Sequence, residues 1–194
     1  MVRLTRSEQQ ARTHEHLLRA GREVFLRRGF LGATVEEIAA DAGYTRGAVY
    51  KHFGSKEGLW LAIVEADAGT HFDGLRTALR QAGDRDGLIA VLGGTANEEA
   101  AKWTAVTAEV LAATAQQPEI ATQVAALQQR HDDQVVALLT EHFERLGIHP
   151  TLPVEHLVIT VGALGIGLAL RQAVIQGTGP DVLTQILKMM LPST

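Results

Sequence analysis

The chain has 194 residues, 46% of them hydrophobic and 21% charged. That excludes a disordered protein and leaves room for one large core or two modest domains. It contains no cysteine, which excludes disulfides and thiol redox sensing and fits a cytoplasmic address.

Net charge is −4, which taken alone argues against nucleic acid. Its distribution argues otherwise. Residues 1–56 carry ten Lys or Arg against six Asp or Glu, whereas residues 57–194 carry eight against sixteen. A basic module joined to an acidic one is the footprint of a protein that meets phosphate at one end only. With five prolines and no strand-like alternation, the expected fold class is all-α, with about nine helices.

Met1 to Arg6 reads as a loose arm, either a disordered basic tail or a segment whose Arg3 and Arg6 reach a minor groove or a phosphate. The opening MVRLTRSEQQARTHEH has no apolar signal core. Ser7 with Gln10 suits a capping box, and Leu17, Leu18, Gly21, Val24 and Phe25 form the apolar stripe of a first helix ending in the Arg27–Phe30 turn.

Residues 34–53, TVEEIAADAGYTRGAVYKHF, read as two short helices with a tight turn between them. Thr34 is the first N-cap, with Glu37 placed to complete a capping box. Val35, Ile38, Ala39 and Ala42 share one face, and Gly43 stands where a left-handed residue is needed. Thr45 caps the second helix, whose inner stripe is Val49 and Phe53. Its outer face carries Arg46, Tyr50 and Lys51, with Gly47 and Ala48 small near its start. Small, basic and hydroxyl groups at the exposed start of a short helix suit a DNA major groove. Phe25, Phe30, Ile38, Val49, Phe53 and Leu59 are the expected core of this module.

A further helix starts at Ser55, with Lys56 in its first turn, a poor place for a cation against the helix dipole unless a phosphate is nearby. Gly69 and Gly74 allow a bend in it. Beyond the Gly83–Gly87 turn, Asp86 is a plausible cap for a helix over 87–95, and Asn97–Glu99 is another break. Lys102–Thr114 and a long helix from Pro118 to Leu146 follow, the latter ended by Gly147. Residues 153–176 are apolar nearly all round, although the uncharged run Leu157–Leu170 is too short to span a membrane, so no membrane partner is expected. Gly162, Gly165, Ala169 and Ala173 make a stripe of small residues that permits close helix approach. The last helix, 181–191, carries Leu183, Ile186, Leu187 and Met190 on its apolar side. These last two helices are read as a dimer face, with burial inside one chain as the alternative.

The stretch AGREVFLRRGFLGATVEEIAADAGYTRGAVYKHFGSKEGLW, with its T-x-x-x-I-A-x-x-A-G-x-T-x-G-x-x-Y-x-x-F-x-S-K-E-x-L pattern, strongly resembles the DNA-binding domain of the TetR family of bacterial transcriptional regulators over about residues 11–71. The resemblance implies a three-helix helix-turn-helix head (residues 1–56) and a helical ligand-binding and dimerisation body (residues 57–194) paired through its last two helices. It implies a homodimeric repressor released from a palindromic double-stranded operator by a small apolar effector. A regulator without a ligand and an activator stay open.

Thr45 and Arg46 are the leading candidates for base contacts, and Lys51 is a further one. Tyr44 can touch a sugar, a phosphate or a thymine methyl. Tyr50, His52 and Lys56 resemble family residues that hold phosphate, and Thr34 completes the set. The body offers Phe72, Trp103, Thr107, Glu109, His131, His142 and Phe143 as candidate ligand contacts. No cofactor is expected. No paired-carboxylate site, glycine-rich phosphate loop or HExxH pattern points to an enzyme. His14 and His16 lie on different sides of a helix, so no metal site is expected.

Overall fold

The structure is a computed structural model that describes residues 5–94, 98–175 and 180–192, with the side chains of 98–101, 172–174 and 180 left out. These residues form nine α-helices and no strand. They divide into two compact units, one of Met1–Asp67 with Val106–Val124, the other of Ala68–Ala105 with Ala125–Thr194.

In the first unit, α1 (Arg6–Gly32) starts at Thr5. The capping box lies two residues earlier than expected. The Thr5 hydroxyl accepts the Glu8 N–H at 3.2 Å, and the Glu8 carboxylate accepts the Thr5 N–H at 2.7 Å. Glu8 outcompetes Gln10 for this role because its full charge also complements the helix N-terminus. The proposed arm, Met1–Leu4, lies outside the described residues. Gly29 breaks α1 with φ 71°, a conformation that excludes most side chains.

Two short helices follow, α2 (Val35–Asp41) and α3 (Arg46–Phe53), and then α4 (Lys56–Gln81). Leu17, Val24, Phe25, Phe30, Ile38, Val49, Leu59, Trp60 and Ile63 are the fully buried core. Phe53 is only half-buried, lying against the His14 ring at 4.7 Å. Gly21 lets α4 close on α1: a Cβ there would meet Leu59 at 3.0 Å and Ile63 at 3.1 Å. Ser55 caps α4, its hydroxyl accepting the Gly58 N–H at 3.0 Å. Gly58 itself is required because any Cβ would collide with the Phe53 carbonyl.

Gly69 and Gly74, which allow a bend, do not interrupt α4, which runs as one helix to Gln81.

In the second unit, α5 (Arg85–Gly93) is capped by Asp84, not Asp86, through the Gly87 N–H at 2.8 Å. The α6 helix (Glu98–Ala113) follows; of the expected Asn97–Glu99 break, residues 95–97 lie outside the described residues. Then come α7 (Pro118–Leu146), α8 (Val154–Val174) and α9 (Pro180–Met190). Pro118 opens α7, and Gly147 takes φ 63° just past its end. The core joins Leu79, Leu88, Leu138, Phe143, Leu157, Leu183 and Leu187. Arginines close two helix ends: Arg145 donates to the Ala82 carbonyl at 3.0 Å, and Arg85 to the Lys188 carbonyl at 3.0 Å and the Leu191 carbonyl.

Burial corrects part of the expected dimer face. Leu183, Leu187, Met190 and Ala169 are buried within their own chain, and Ile186 is half-buried. The strongly amphipathic α9 spends its apolar side on its own core. A Cβ added at Gly162 or Gly165 would meet nothing within 4 Å among the described residues, and the Ala173 side chain lies outside the described residues. What stays open instead is Ile159, Ile166 and Leu170 on α8 with Val182 and Met189 on α9. Over Val154–Arg171, α8 is long and apolar enough to cross a membrane by length and composition, beyond what the uncharged run implied. The core helix of a helical bundle meets the same test.

Candidate nucleic-acid interface

The reading pair is built from local rules. Thr34 caps α2 by accepting the Glu37 N–H at 3.1 Å. Gly43 takes φ 75°, so that its own N–H reaches the Ala40 carbonyl at 3.0 Å and the Tyr44 N–H reaches Ala39 at 2.8 Å. This tight exit turns the chain into α3. Val49 is fully buried and anchors α3 to the core. Thr45, Arg46, Gly47, Tyr50 and Lys51 are then left exposed, while Tyr44, Ala48 and His52 are half-buried.

Two expected caps differ. The Thr45 side chain makes no cap hydrogen bond, so its hydroxyl remains available to a partner. Glu37 does not reach back to Thr34. Its carboxylate accepts from Arg27 at 3.0 Å and Arg28 at 3.3 Å, and these guanidinium groups hold it below the usual carboxylate range, Arg27 most strongly.

Arg46 is tethered in the free protein. Its guanidinium donates to Glu36 on α2 at 2.9 Å, with both groups well exposed. Each stabilises the other's charge: Glu36 is lowered by the Arg46 hydrogen bond, and Arg46 is raised by Glu36. The first turn of α3 holds no acidic residue, leaving its positive dipole end unopposed.

Lys56 departs from expectation. Its ammonium donates to the Phe30 carbonyl at 2.9 Å and the Ala33 carbonyl at 3.0 Å, and it lies 4.3 Å from the centre of the Phe30 ring. The cation stands in the first turn of α4 because carbonyls at the end of α1 receive it. Two of its three N–H donors are therefore spent on the fold and not offered to phosphate.

Sequence reasoning missed a notch beside α3. Ser7, Gln10, Ala11 and His14 from α1 face Lys51 and His52 from α3. The His14 and His52 rings are 5.8 Å apart. Burial first, then the nearby His14 and Lys51 charges, push His52 below its ordinary value of 6.5. Thirty-eight positions separate the two histidines (52 minus 14), so no spacing rule could pair them.

Of the candidate ligand residues, Thr107 and Glu109 fall in the first unit and Phe72, Trp103, His131, His142 and Phe143 in the second. Phe143 and His142 are buried in the second unit, and the His142 Nδ1–H donates to the Leu138 carbonyl at 2.8 Å. These are core positions, not open liners. Phe72 packs half-buried against the same core, and Trp103, Thr107 and His131 are half-buried. His131 keeps a buried Nδ1 without a protein partner. The Glu109 carboxylate accepts the Leu31 N–H at 3.0 Å. Among the described residues, no three His, Asp or Glu side chains converge as a metal set would.

A helix-turn-helix with an exposed basic reading face defines a DNA-binding transcriptional regulator. Residues 17–63 match the profile of the bacterial regulatory proteins of the tetR family. The HTH-type transcriptional repressor AcnR of Corynebacterium efficiens is 25% identical over 179 residues, spanning 92% of this chain and 90% of the relative. The crystal structure of a transcriptional regulator from Rhodococcus sp. RHA1 superposes with TM-score 0.77 at 16% identity, covering 91% of this chain and 94% of that one. A regulator from Saccharomonospora viridis solved in complex with choline gives TM-score 0.72 at 17% identity, covering 94% and 100%. Residues 17–63 are thus similar to the DNA-binding domain of tetR-family regulators, and the chain is similar over most of its length to an HTH-type transcriptional repressor.

Proposed function

We propose that this regulator is a homodimeric, cytoplasmic repressor that leaves a palindromic operator when a small apolar effector binds its body. Residues 1–56 would be the reading head and 57–194 the regulatory body. The observation that carries the reading is the start of α3, where Thr45 has a free hydroxyl and Arg46 stands exposed above the buried Val49 anchor. Arg46 would take a guanine edge, Thr45 a phosphate or thymine methyl, and Gly47 and Ala48 would let the backbone approach. Lys51 would add a base contact, and Tyr44, Tyr50 and His52 would hold phosphate and register, with Thr34 at their margin.

Support for a dimer comes from the uncovered apolar face of α8, where Ile159 is 59% and Ile166 52% exposed. A patch of that kind on a regulator calls for a partner, and a second copy would also set the spacing of two heads on a two-fold site. The choline complex of the S. viridis protein and the aliphatic make-up of this body support an effector. His131, with its unpartnered Nδ1, is the favoured polar anchor. The effector releases DNA only if it binds the DNA-incompetent form more tightly than the competent one.

Selection of sites from a random DNA pool at near-physiological salt tests the reading. A two-fold palindrome is the expected result. Binding that falls with salt but selects no motif would refute it.

A further inference from the structure

The corner between α1 and α2, residues 29–33, is gripped from two helices. On its amide side, the Leu31 N–H donates to Glu109 of α6 at 3.0 Å. The same carboxylate sits over Gly29, where a Cβ would meet both of its oxygens at 2.7 Å. Gly29 is thus needed twice, for its φ of 71° and for the space that Glu109 fills. On the carbonyl side, Lys56 of α4 holds Phe30 and Ala33. The next residue, Thr34, caps α2, and α2 packs on α3. A displacement of the corner therefore displaces the reading pair.

Glu109 belongs to the same compact unit as the corner, which takes in Val106–Val124 of the chain. A carboxylate accepting a backbone N–H makes a short, directional, charge-assisted contact. Such a contact has a defined position, which sliding apolar packing lacks.

We propose that Glu109 is a positioning residue, holding the α1–α2 corner at the setting that suits the operator. This deepens the operator-binding reading and rests on it. Glu109 touches no DNA. Its consequence is geometric, so it should govern which half-site spacing is preferred more than how strongly DNA is held.

The test compares the full-length protein on two DNAs, the selected operator and the same operator with two base pairs inserted at its centre. Wild type should prefer the selected spacing. Glu109→Ala should cut that preference about fivefold or more, whereas Glu109→Gln, which keeps an acceptor oxygen, should hold it within about twofold of wild type. In the DNA-free protein, exchange of the Leu31 amide should quicken about tenfold or more in Glu109→Ala. A merely structural loss would weaken both DNAs alike and leave the ratio unchanged, and that result overturns the proposal. An unchanged Leu31 exchange rate overturns it as well. A wild-type protein indifferent to spacing would refute the operator reading and this consequence with it. A wild-type preference that survives Glu109→Ala would refute the role of Glu109 alone.

Discussion

Replacing Ile166 on the open face of α8 should dissociate the dimer without unfolding the chain. Full burial of an isoleucine side chain contributes about 1.5–3 kcal/mol. Ile166 is 52% exposed within its own chain, so about half of that, roughly 1 kcal/mol, remains to be gained from a partner. Two-fold symmetry presents the residue twice, which makes Ile166→Ala worth about 2 kcal/mol, or about 30-fold in the dimer dissociation constant. Ile166→Asp should do more, because two carboxylates would lose water at the interface without partners. Sedimentation velocity over a concentration series reads the constant, and thermal melting checks the fold. Operator binding supplies a second readout: the palindrome should lose its advantage over a half-site. The contrast is Leu187, fully buried in its own core, where truncation to Ala should cost about 2–5 kcal/mol of fold stability. Ile166→Asp remaining a dimer at wild-type strength would refute the assignment of this face.

Three other outcomes follow from the reading pair. Arg46→Ala should weaken operator binding about five- to hundredfold and relax preference at one base position per half-site; equal losses on operator and random DNA, measured by fluorescence anisotropy, would mean that Arg46 meets only phosphate. Glu36→Gln removes the carboxylate that tethers Arg46, so DNA binding should tighten, about severalfold, with the difference shrinking as salt rises. His52 lies below its ordinary value of 6.5 mainly through burial. It is therefore neutral in the free protein at neutral pH, and its contribution to head stability is present above about pH 6.5 and lost as pH falls through the depressed value. A nearby phosphate favours the charged ring, so operator binding should take up protons and strengthen from about pH 7.5 to pH 6 in wild type more than in His52→Gln; parallel pH profiles for the two proteins would refute the contact.

The uncovered face also explains why the proposed dimer face was only half legible. Leu183 and Leu187 lie on a clear stripe of α9, and a stripe states that a surface must be covered without stating by what. On α8 the apolar residues run round most of the helix, so the pattern has no side to choose. Packing against Leu138 and Phe143 of α7 consumed one face of this pair of helices and left Ile159 and Ile166 outside.

What the amino-acid order determined alone were features whose cause lies within a few residues. The Thr34 cap, the left-handed Gly43, Pro118 at the start of α7 and Gly147 past its end all follow from local backbone sterics and hydrogen bonding. The exposed Thr45–Arg46 end of α3 follows from the same short-range logic, since burying Val49 fixes which side of one helix faces out. Tertiary structure alone decided the partners of long side chains. Lys56 serves the carbonyls of Phe30 and Ala33, Glu109 serves Leu31, and His14 meets His52, each across a stretch of chain that no periodicity spans. A charged side chain takes the nearest satisfactory partner in space, and nearness in space is settled only when the helices have packed.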